Sequence, residues 1–339
     1  MKHRQKDNDK ILFVGFRDGA HSKNGGYDWI TRYGRGSDTL MLSDVPLGKI
    51  SLQSPFVRIP LMLLDVFARI RRRRYSITHL IYGDVTMLRF LPYMRSSRHK
   101  TAVTIHLDVE QRKFKKSFIH QLRKMDKVIV LSSNYAHLLK DRYKIEAEFV
   151  PHGFNMPEYK TVEVRDLQGR VLDKKCINIL TIGKMYRDYG LYQRLVRKYA
   201  NDDRFCFHLV GAPVDVRKLG EEISNVRVYG RLDDDAYYSL IASCDYCFLP
   251  LSFATANNAL LESQYLNTQL ILPEISGVTD YAAPAPMNIF YNDEADLEKI
   301  INNLVKADKG NELSEFASRF AWERIYDKLD EIYTELRNE

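Results

Sequence analysis

The feature that most constrains the fold is an alternation of short apolar runs with longer helical patterns, which runs through both halves of the chain. The apolar runs lack a clean polar alternation, as expected for parallel strands covered on both faces. The predicted strands are 11–15, 78–84, 101–106 and 127–131 in the first half, and 177–183, 205–210, 226–230, 245–250 and 269–273 in the second. This pattern predicts an α/β protein with two doubly wound parallel-sheet domains.

The stretch 151–176 breaks this rhythm, since it carries two prolines, two glycines and mixed charge. A chain of 339 residues with 45% hydrophobic residues is long enough for two cores. We expect an N-terminal domain over 1–155, a linker over 156–176, a second domain over 177–315 and a C-terminal helix over 316–339 that can pack back on the first domain. Ligands of open α/β sheets bind outside the carboxyl ends of the strands, so functional residues should lie on strand-end loops facing an interdomain cleft.

Residues 252–266, SFATANNALLESQYL, are the most informative segment, because a predicted strand is followed there by a helix pattern. Thr255, Asn257 and Asn258 are suitable N-cap residues. The free backbone N–H groups and the positive end of the helix dipole would suit a diphosphate. Glu262 lies one turn after Asn258, where its carboxylate can accept two hydrogen bonds from a ribose diol. The alternative is an ordinary capped helix with a solvated glutamate.

A second candidate segment is TIGKMYRDYGL at 181–191, where a predicted strand ends at Gly183. Lys184 and Arg187 lie in the turn before the next helix. Two cations at a strand-end turn can neutralise the charge of a diphosphate leaving group. The alternative is a surface turn with solvated charges.

The first domain offers a histidine and a glycine pair at predicted strand ends. His106 ends the strand TAVTIH, where it can polarise a hydroxyl or accept a proton, and Asp108 is an alternative base. An isolated histidine also commonly has a structural or surface role. Gly25 and Gly26 lie in the loop after the first strand and permit close approach of a ligand to the backbone. Their spacing is not G-x-G-x-x-G, so a dinucleotide site is not indicated.

Together these segments resemble the GT-B glycosyltransferases, in particular the retaining family-four, or group 1, enzymes of bacterial surface-polysaccharide type. The A-N-N-A-L-L-E and G-x-x-x-R-D-Y sequences resemble a bacterial branch of that family. The resemblance is clear over 177–281 and weak in the first domain. It implies two Rossmann-like domains, the first on the acceptor side, and transfer of a sugar from a nucleotide diphosphate donor to a glycan or lipid-linked acceptor.

In the second domain, the resemblance implies roles for individual residues in donor binding. Glu262 matches the family glutamate that binds the ribose. Lys184 and Arg187 match the two basic positions that contact the donor phosphates, although the family spacing is longer. The first glutamate of the family motif, which contacts the donor sugar, falls on Ala254 in this chain. The donor sugar and the retaining or inverting outcome therefore stay open.

The resemblance also implies which residues contact the base and the sugar of the donor. The backbone near Arg231 and Leu232 would hold the base, which the sequence leaves undetermined. The family often places a histidine beside the donor sugar at the position of His106. It also has a Gly-Gly pair near donor and acceptor, which matches Gly25 and Gly26.

Neither a metal ion nor nucleic acid is indicated as a partner. The run Asp233–Asp235 suits a helix cap better than a D-x-D metal site. Cys244 and Cys247 have C-x-x-C spacing, but no second pair exists and the surrounding run is apolar, which predicts core packing in a reducing compartment. The resemblance implies a metal-free mechanism with no cofactor beyond the nucleotide-sugar donor. The net charge of +7 favours anionic partners, but no nucleic-acid motif is present.

The segment 54–74, SPFVRIPLMLLDVFARIRRRR, joins apolar residues to a cluster of arginines. Such a helix can bind an anionic membrane surface, and the alternative is a core helix with a solvated end. The sequence has no apolar run of about 18 residues, and its first ten residues lack the apolar stretch of a signal peptide. We expect a cytoplasmic protein, peripheral at the inner face of the cell membrane if this helix binds lipid.

Two other functions stay open from the sequence. A GT-B sugar-nucleotide epimerase would release a changed nucleotide sugar and need no acceptor. A non-catalytic nucleotide-sugar-binding scaffold would bind the donor without turnover, which Ala254 keeps open. Donor hydrolysis separates an enzyme from a scaffold, and an acceptor requirement separates a transferase from an epimerase.

Overall fold

The computed structural model describes residues 10–17, 26–34, 36–49, 54–86, 99–106 and 115–339. It divides into two compact units. Unit 1 comprises Met1–Asn155 and Phe320–Glu339, and unit 2 comprises Met156–Arg319. Within the described residues, each unit contains a six-stranded sheet whose neighbouring strands all pair in parallel.

The regular elements alternate along the chain as βα units. The strands are β1 Ile11–Gly15, β2 Asp38–Met41, β3 Ile77–Leu80, β4 Lys100–Ile105, β5 Lys127–Val130, β6 Ala147–Phe149, β7 Ile177–Ile182, β8 Phe205–Val210, β9 Val226–Val228, β10 Tyr246–Phe248, β11 Gln269–Pro273 and β12 Ile289–Tyr291. The α-helices are α1 Arg58–Arg71, α2 Gly83–Thr86, α3 Lys115–Leu122, α4 Ser133–Tyr143, α5 Tyr189–Lys198, α6 Val214–Arg217, α7 Leu219–Glu222, α8 Asp234–Ser243, α9 Asn258–Tyr265, α10 Glu294–Asn302, α11 Glu312–Ala317 and α12 Trp322–Asn338. The 3₁₀ helices are Tyr27–Arg32, Leu42–Asp44, Pro55–Val57, Arg72–Arg74 and Ser318–Phe320.

Unit 1 has the strand order β2-β1-β3-β4-β5-β6. The C-terminal helix α12 belongs to this unit and is tied to its core. Phe154 N donates to Phe320 O at 2.9 Å, and the Tyr333 hydroxyl lies 2.6 Å from His79 Nδ1 in a fully buried pair. Burial lowers the pKa of His79 to about 3, so this ring is neutral and acts as a hydrogen-bonding member of the core. Trp322, at the start of α12, is also fully buried.

Unit 2 has the strand order β12-β11-β10-β7-β8-β9, with β7 near the middle. Its central strands are buried along their whole length, which explains why they lack a polar alternation in the sequence. Helix α5 contributes Tyr192 and Leu195 to a core shared with Phe205, Phe207 and Phe248 from the strands. The predicted α/β class with two doubly wound parallel sheets is confirmed.

The structure corrects several details of the predicted elements. The run predicted as a strand over 78–84 ends at Leu80, and its last residues begin the short helix α2. The segment predicted as one helix over 316–339 is interrupted at 318–321, between α11 and α12. Residues 156–176, predicted as a linker, form part of unit 2, where Leu167 N donates to Val228 O at 2.9 Å.

Cys244, Cys247 and the acidic run have the structural roles predicted for them. Cys206, Cys244 and Cys247 are buried free thiols in unit 2, and Cys176 is half-buried and also free. Asp233 is the N-cap of α8, where its carboxylate accepts from Ala236 N at 2.9 Å. In the portion of the chain that the structure describes, no helix combines the length and apolarity needed to cross a bilayer.

Candidate functional site

The turn after β7 holds Arg187 against the protein backbone. Its guanidinium donates to Ile182 O at 3.0 Å and to Met185 O at 2.7 Å. Gly183 has a φ of 92°, and a Cβ there would lie 3.0 Å from Arg187 Nη2, so this glycine leaves room for the guanidinium. Tyr186 also has a positive φ, of 56°. Burial lowers the pKa of Arg187, because a cation is poorly solvated at this position.

The same turn is joined to the loop that follows β10. Asp188 N donates to Pro250 O at 2.7 Å, and Ser252 N donates to Tyr186 O at 2.9 Å. Arg187 forms an isolated antiparallel bridge with Leu251. These contacts fix the Lys184–Arg187 turn beside the segment that leads into α9.

Helix α9 begins as its sequence predicts. Asn257 is the N-cap, and its Oδ1 accepts from Leu260 N at 3.3 Å and from Arg187 Nη2 at 3.5 Å. Thr255 and Asn258 are half-buried on either side of this cap, and Ala254 is buried. A cation therefore lies at the N-terminus of a helix, where both the dipole and the guanidinium favour an anion.

Glu262 is a buried carboxyl on α9, with 5% of its surface exposed. Its Oε2 accepts a hydrogen bond of 2.8 Å from the Tyr237 hydroxyl of α8. Burial raises the pKa of Glu262 to about 7, although the hydrogen bond from Tyr237 opposes this shift. The burial of Glu262 rules out the alternative of a solvated glutamate, and buried acids with perturbed pKa values are concentrated at functional sites.

A cavity of about 520 Å³ lies at the carboxyl ends of β7, β8 and β9, where ligands of doubly wound sheets bind. Its lining consists of Lys184, Val210, Gly211, Ala212, Pro213, Val214, Arg217, Tyr229, Gly230, Arg231, Leu232 and Tyr237. Three of these side chains are cations, and among the described residues no aspartate or glutamate lines this cavity. Tyr237 lines this cavity, and its hydroxyl donates to Glu262. The structure thus brings the predicted residues Lys184, Arg231 and Leu232 to one cavity.

In unit 1, His106 follows β4 and is positioned by Asp84 of α2. His106 N donates to Asp84 Oδ1 at 2.8 Å, and His106 Nδ1 lies 3.6 Å from the same oxygen. The His106 ring stacks on Tyr82 at 4.6 Å and meets Tyr27 edge to face at 4.9 Å. Burial alone would raise the pKa of Asp84, but the hydrogen bonds and charge of His106 outweigh it and hold this pKa below its usual range.

A histidine held by a buried carboxylate resembles the base-and-orienting-group arrangement of many acid–base sites. Gly26 precedes Tyr27 and has a φ of 119°, a conformation that L side chains rarely adopt. The predicted residues Gly25 and Asp108 lie outside the described residues.

Three residues of the unit 1 and unit 2 sites were not predicted from the sequence: Tyr237, Asp84 and Arg217. Tyr237 and Asp84 each act on a partner more than 20 positions away in sequence, so no local pattern marks them. The sequence did contain one signal for Asp84, because this acid follows the apolar run 78–82 after a single glycine. Arg217 has no such signal. In the part of the chain that the structure describes, no three His, Cys, Asp or Glu side chains form a metal-ligand group.

Comparison with known proteins extends this description. No protein-family model matches the chain. No curated protein matches it in sequence. Solved structures do match, at low sequence identity. Sucrose-phosphate synthase from Thermosynechococcus elongatus is 17% identical with a TM-score of 0.71, covering 97% of this chain and 99% of its own.

Two further structures match over a similar length. HepE of Anabaena, in complex with UDP, is 14% identical with a TM-score of 0.69, over 96% of this chain and 100% of its own. The lipopolysaccharide outer core galactosyltransferase WaaB is 15% identical with a TM-score of 0.66, over 96% of this chain and 99% of its own. The chain has the GT-B fold.

The GT-B fold accounts for the positions of the two groups of candidate residues, one around His106 in unit 1 and one around Lys184 and Glu262 in unit 2. In each unit the candidate residues follow the carboxyl ends of parallel strands, as His106 does after β4 and Lys184 does after β7. The fold itself supports several chemistries, so the function has to be argued from the cavity and its neighbouring side chains.

Proposed function

We propose that this protein is a glycosyltransferase that transfers a sugar from a nucleotide diphosphate donor to a glycan or lipid-linked acceptor. The observation that carries this proposal is the unit 2 cavity, whose charged lining residues Lys184, Arg217 and Arg231 are all cations. It adjoins the Tyr237–Glu262 pair. HepE was solved with UDP, starch synthase IV from Arabidopsis thaliana with ADP and acarbose, and WaaB is a galactosyltransferase.

The leaving diphosphate would be held at the N-terminus of α9. Arg187 already reaches the Asn257 cap, so its guanidinium and the first-turn N–H groups of α9 can face the same phosphate oxygens. Lys184 adds a cation from the adjoining turn. Preorganised positive charge of this kind stabilises the developing diphosphate without a metal ion, and we propose a metal-independent reaction.

The ribose would lie against Glu262. The Glu262 carboxylate accepts from the Tyr237 hydroxyl at Oε2. A ribose diol can donate to the carboxylate once it is ionised. The backbone of Arg231 and Leu232, which lines the cavity, would then contact the base.

His106 of unit 1 would act on the sugar or the acceptor hydroxyl. Asp84 holds the main chain and the ring of His106 in place, which suits a group that polarises a hydroxyl or takes up a proton. We propose that His106 contacts the reacting sugar and that Asp84 is a positioning residue.

The test is turnover of a panel of nucleotide sugars with and without a bacterial lipid and glycan extract. A glycosyltransferase releases nucleoside diphosphate in an acceptor-dependent way and adds the mass of one sugar to a component of the extract. An epimerase instead changes the nucleotide sugar without an acceptor. A scaffold binds the nucleotide sugar and releases no nucleoside diphosphate, and either result would contradict the proposal.

The surface of α1 bears on where the reaction takes place. One face of this helix packs on unit 1 through Pro60, Leu64 and Ala68. Five other apolar side chains of α1, and Phe56 on the 3₁₀ helix before it, are exposed by 40–67%. They are Phe56, Ile59, Met62, Val66, Phe67 and Ile70. We call this the α1 apolar face.

Basic residues border the α1 apolar face. Arg58 lies at the start of α1, and Arg73 and Arg74 are exposed just beyond its end. Exposed apolar side chains beside arginines match the chemistry of an anionic bilayer surface. We propose that unit 1 binds the inner face of the cell membrane through this surface, next to a lipid-linked acceptor used in bacterial surface polysaccharide synthesis.

Liposome flotation tests the membrane proposal. The wild type should float with anionic vesicles and release at high salt, while Met62→Glu/Ile70→Glu and Arg73→Ala/Arg74→Ala should each reduce flotation. Val305→Glu, at an exposed valine of unit 2, is the control and should float normally. Salt-insensitive binding to neutral and anionic vesicles alike would refute the proposal. So would self-association through the α1 apolar face, detected by sedimentation, because a second copy would then cover it.

A further inference from the structure

A series of buried hydrogen bonds crosses unit 1 from the C-terminal helix α12. The Tyr333 hydroxyl lies 2.6 Å from His79 Nδ1, and His79 Nε2 lies 2.8 Å from Thr104 Oγ1. Thr104 Oγ1 also lies 3.2 Å from the Tyr27 hydroxyl. These four side chains are fully buried and come from α12, β3, β4 and the first 3₁₀ helix. We call them the His79 network.

His79 makes this network continuous. Burial lowers the pKa of His79 to about 3, so the ring is neutral and has one donor and one acceptor nitrogen. The hydroxyls of Tyr333 and Thr104 can each donate or accept, so both ring nitrogens are satisfied in either tautomer. A buried polar network whose members are all satisfied holds its side chains in one arrangement. The position of Tyr27 is therefore tied to that of α12.

Tyr27 also fixes the surroundings of His106. Its ring meets the His106 ring edge to face, at 4.9 Å and 87°. Its backbone N donates to the Tyr82 hydroxyl at 2.8 Å, and the Tyr82 ring stacks on His106 at 4.6 Å and 25°. Both ring geometries are favourable ones for aromatic pairs. Two tyrosines therefore contact His106, and a hydrogen bond from Tyr27 couples them.

His106 and the His79 network differ in their access to a ligand. The His106 side chain keeps 15% of its surface exposed, so a substrate can reach it. Tyr27 and Tyr333 are 0% exposed, so a substrate reaches neither. An effect of these two tyrosines on the reaction would therefore have to act through a neighbouring residue.

We infer that Tyr27 is a positioning residue for His106, and that α12 holds Tyr27 in place through the His79 network. A reacting group has to be held close to its productive geometry, because a displacement of about 1 Å can cost a large part of the rate. This inference rests on the proposed function, since it takes His106 to act on the reacting sugar. It gives α12 a part in the reaction besides its part in the core of unit 1.

Removing one hydroxyl at either end of the network tests the inference. Tyr333→Phe and Tyr27→Phe both keep the aromatic ring, and each should lower kcat by about 10-fold while the affinity for the released nucleoside diphosphate stays unchanged. In a His106→Ala background neither change should lower kcat further. Tyr75→Phe is the matched control, because it also removes a buried tyrosine hydroxyl of unit 1, which donates to Asp38 outside the network, and it should keep the wild-type kcat.

A second measurement needs no turnover. The ring resonances of His106 can be followed by NMR in protein labelled with ¹³C-histidine and assigned by their loss in His106→Ala. Neighbouring aromatic rings shift these resonances, so they report how Tyr27 and Tyr82 lie against His106. Tyr333→Phe should shift them, although its change lies three hydrogen bonds from Tyr27, and Tyr75→Phe should leave them in place.

The outcomes separate this inference from the proposed function. The inference is wrong if Tyr333→Phe leaves the His106 resonances at their wild-type positions, if it keeps the wild-type kcat, or if its loss of kcat adds to that of His106→Ala. If the wild type turns over no nucleotide sugar, the proposed function fails. The His106 resonances then still decide whether the His79 network positions this ring.

Discussion

Replacing Glu262 by glutamine should stabilise unit 2 at alkaline pH and weaken nucleotide binding in the same variant. The carboxyl is buried, and its pKa is raised from 4.5 to about 7. A raised pKa of an acid means that folding favours its neutral form. The associated stability is therefore fully present below pH 4.5 and is lost as the pH rises through about 7. Glutamine keeps the shape and stays neutral at every pH.

The expected size follows from the shift. Each pKa unit corresponds to 1.36 kcal/mol, so a shift of about 2.5 units means that ionised Glu262 lowers the free energy of unfolding by about 3 kcal/mol above pH 8. For a unit of this size, 1 kcal/mol moves the melting temperature by about 2–4 °C. Glu262→Gln should therefore melt about 6–12 °C above the wild type at pH 8, with no difference at pH 4.5.

The assay is calorimetric melting of wild type and Glu262→Gln from pH 4.5 to pH 9, following the transition that responds to nucleoside diphosphate. At pH 8 a saturating nucleoside diphosphate should raise the wild-type transition strongly and the variant transition only weakly, because the amide is a poorer acceptor for the ribose diol. The prediction would be refuted by a melting difference that does not change with pH, or by a variant that is less stable at pH 8. Either result would show that ionised Glu262 does not destabilise the folded protein.

Three further predictions concern the reaction itself. Turnover should continue in excess EDTA, because Lys184 and Arg187 supply the charge that a metal would supply, and complete loss restored by Mn²⁺ or Mg²⁺ would show that a metal is required. His106→Ala should lower kcat by about 10²- to 10⁴-fold with nearly unchanged nucleotide affinity, and a comparable loss of nucleotide affinity would place His106 in the donor site instead. Asp84→Asn should lower kcat, because the His106 ring loses the carboxylate that positions it, while nucleotide affinity stays intact. The double variant with His106→Ala should lose no more kcat than His106→Ala alone, whereas additive losses would mean that Asp84 does not act through His106.

The sequence predicted the central strands and the helix starts because both depend on local chemistry. Strands β7 and β8 are buried along their whole length, so their apolar sequences identify them as strands without information from the rest of the chain. Two of the predicted caps act on an N–H three residues away, Asn257 on Leu260 and Asp233 on Ala236, whereas Thr255 lies before the cap of α9 and Asn258 is its first helical residue. Such contacts are encoded within a few positions of the sequence.

The missed elements are short and lie at sheet edges. β2 and β6 form the two edges of the unit 1 sheet, and β12 forms one edge of the unit 2 sheet. All three residues of β6 are half-buried, so its apolar signal is weak. Edge strands are short and partly solvated because one side lacks a neighbour, which removes the pattern that identifies a central strand.

The missed site residues depend on contacts between distant parts of the chain. Tyr237 is recognised only because α8 brings its hydroxyl to Glu262, and Asp84 only because α2 lies at the end of β4. Arg217 has no local signal in the sequence, because only its position in the cavity lining marks it. Such features arise when the fold assembles, and a sequence pattern of one segment does not contain them.

The most direct test of the account is calorimetric titration of a nucleoside diphosphate into the wild type, Arg187→Lys and Glu262→Ala. The account predicts saturable binding to the wild type and a loss of affinity of about 10- to 100-fold in Glu262→Ala, as expected for a hydrogen bond to a charged group. Arg187→Lys keeps the charge but loses the planar guanidinium, so it should bind several-fold more weakly. Wild-type affinity in both variants would contradict the placement of the donor site at α9 and, with it, the proposed function.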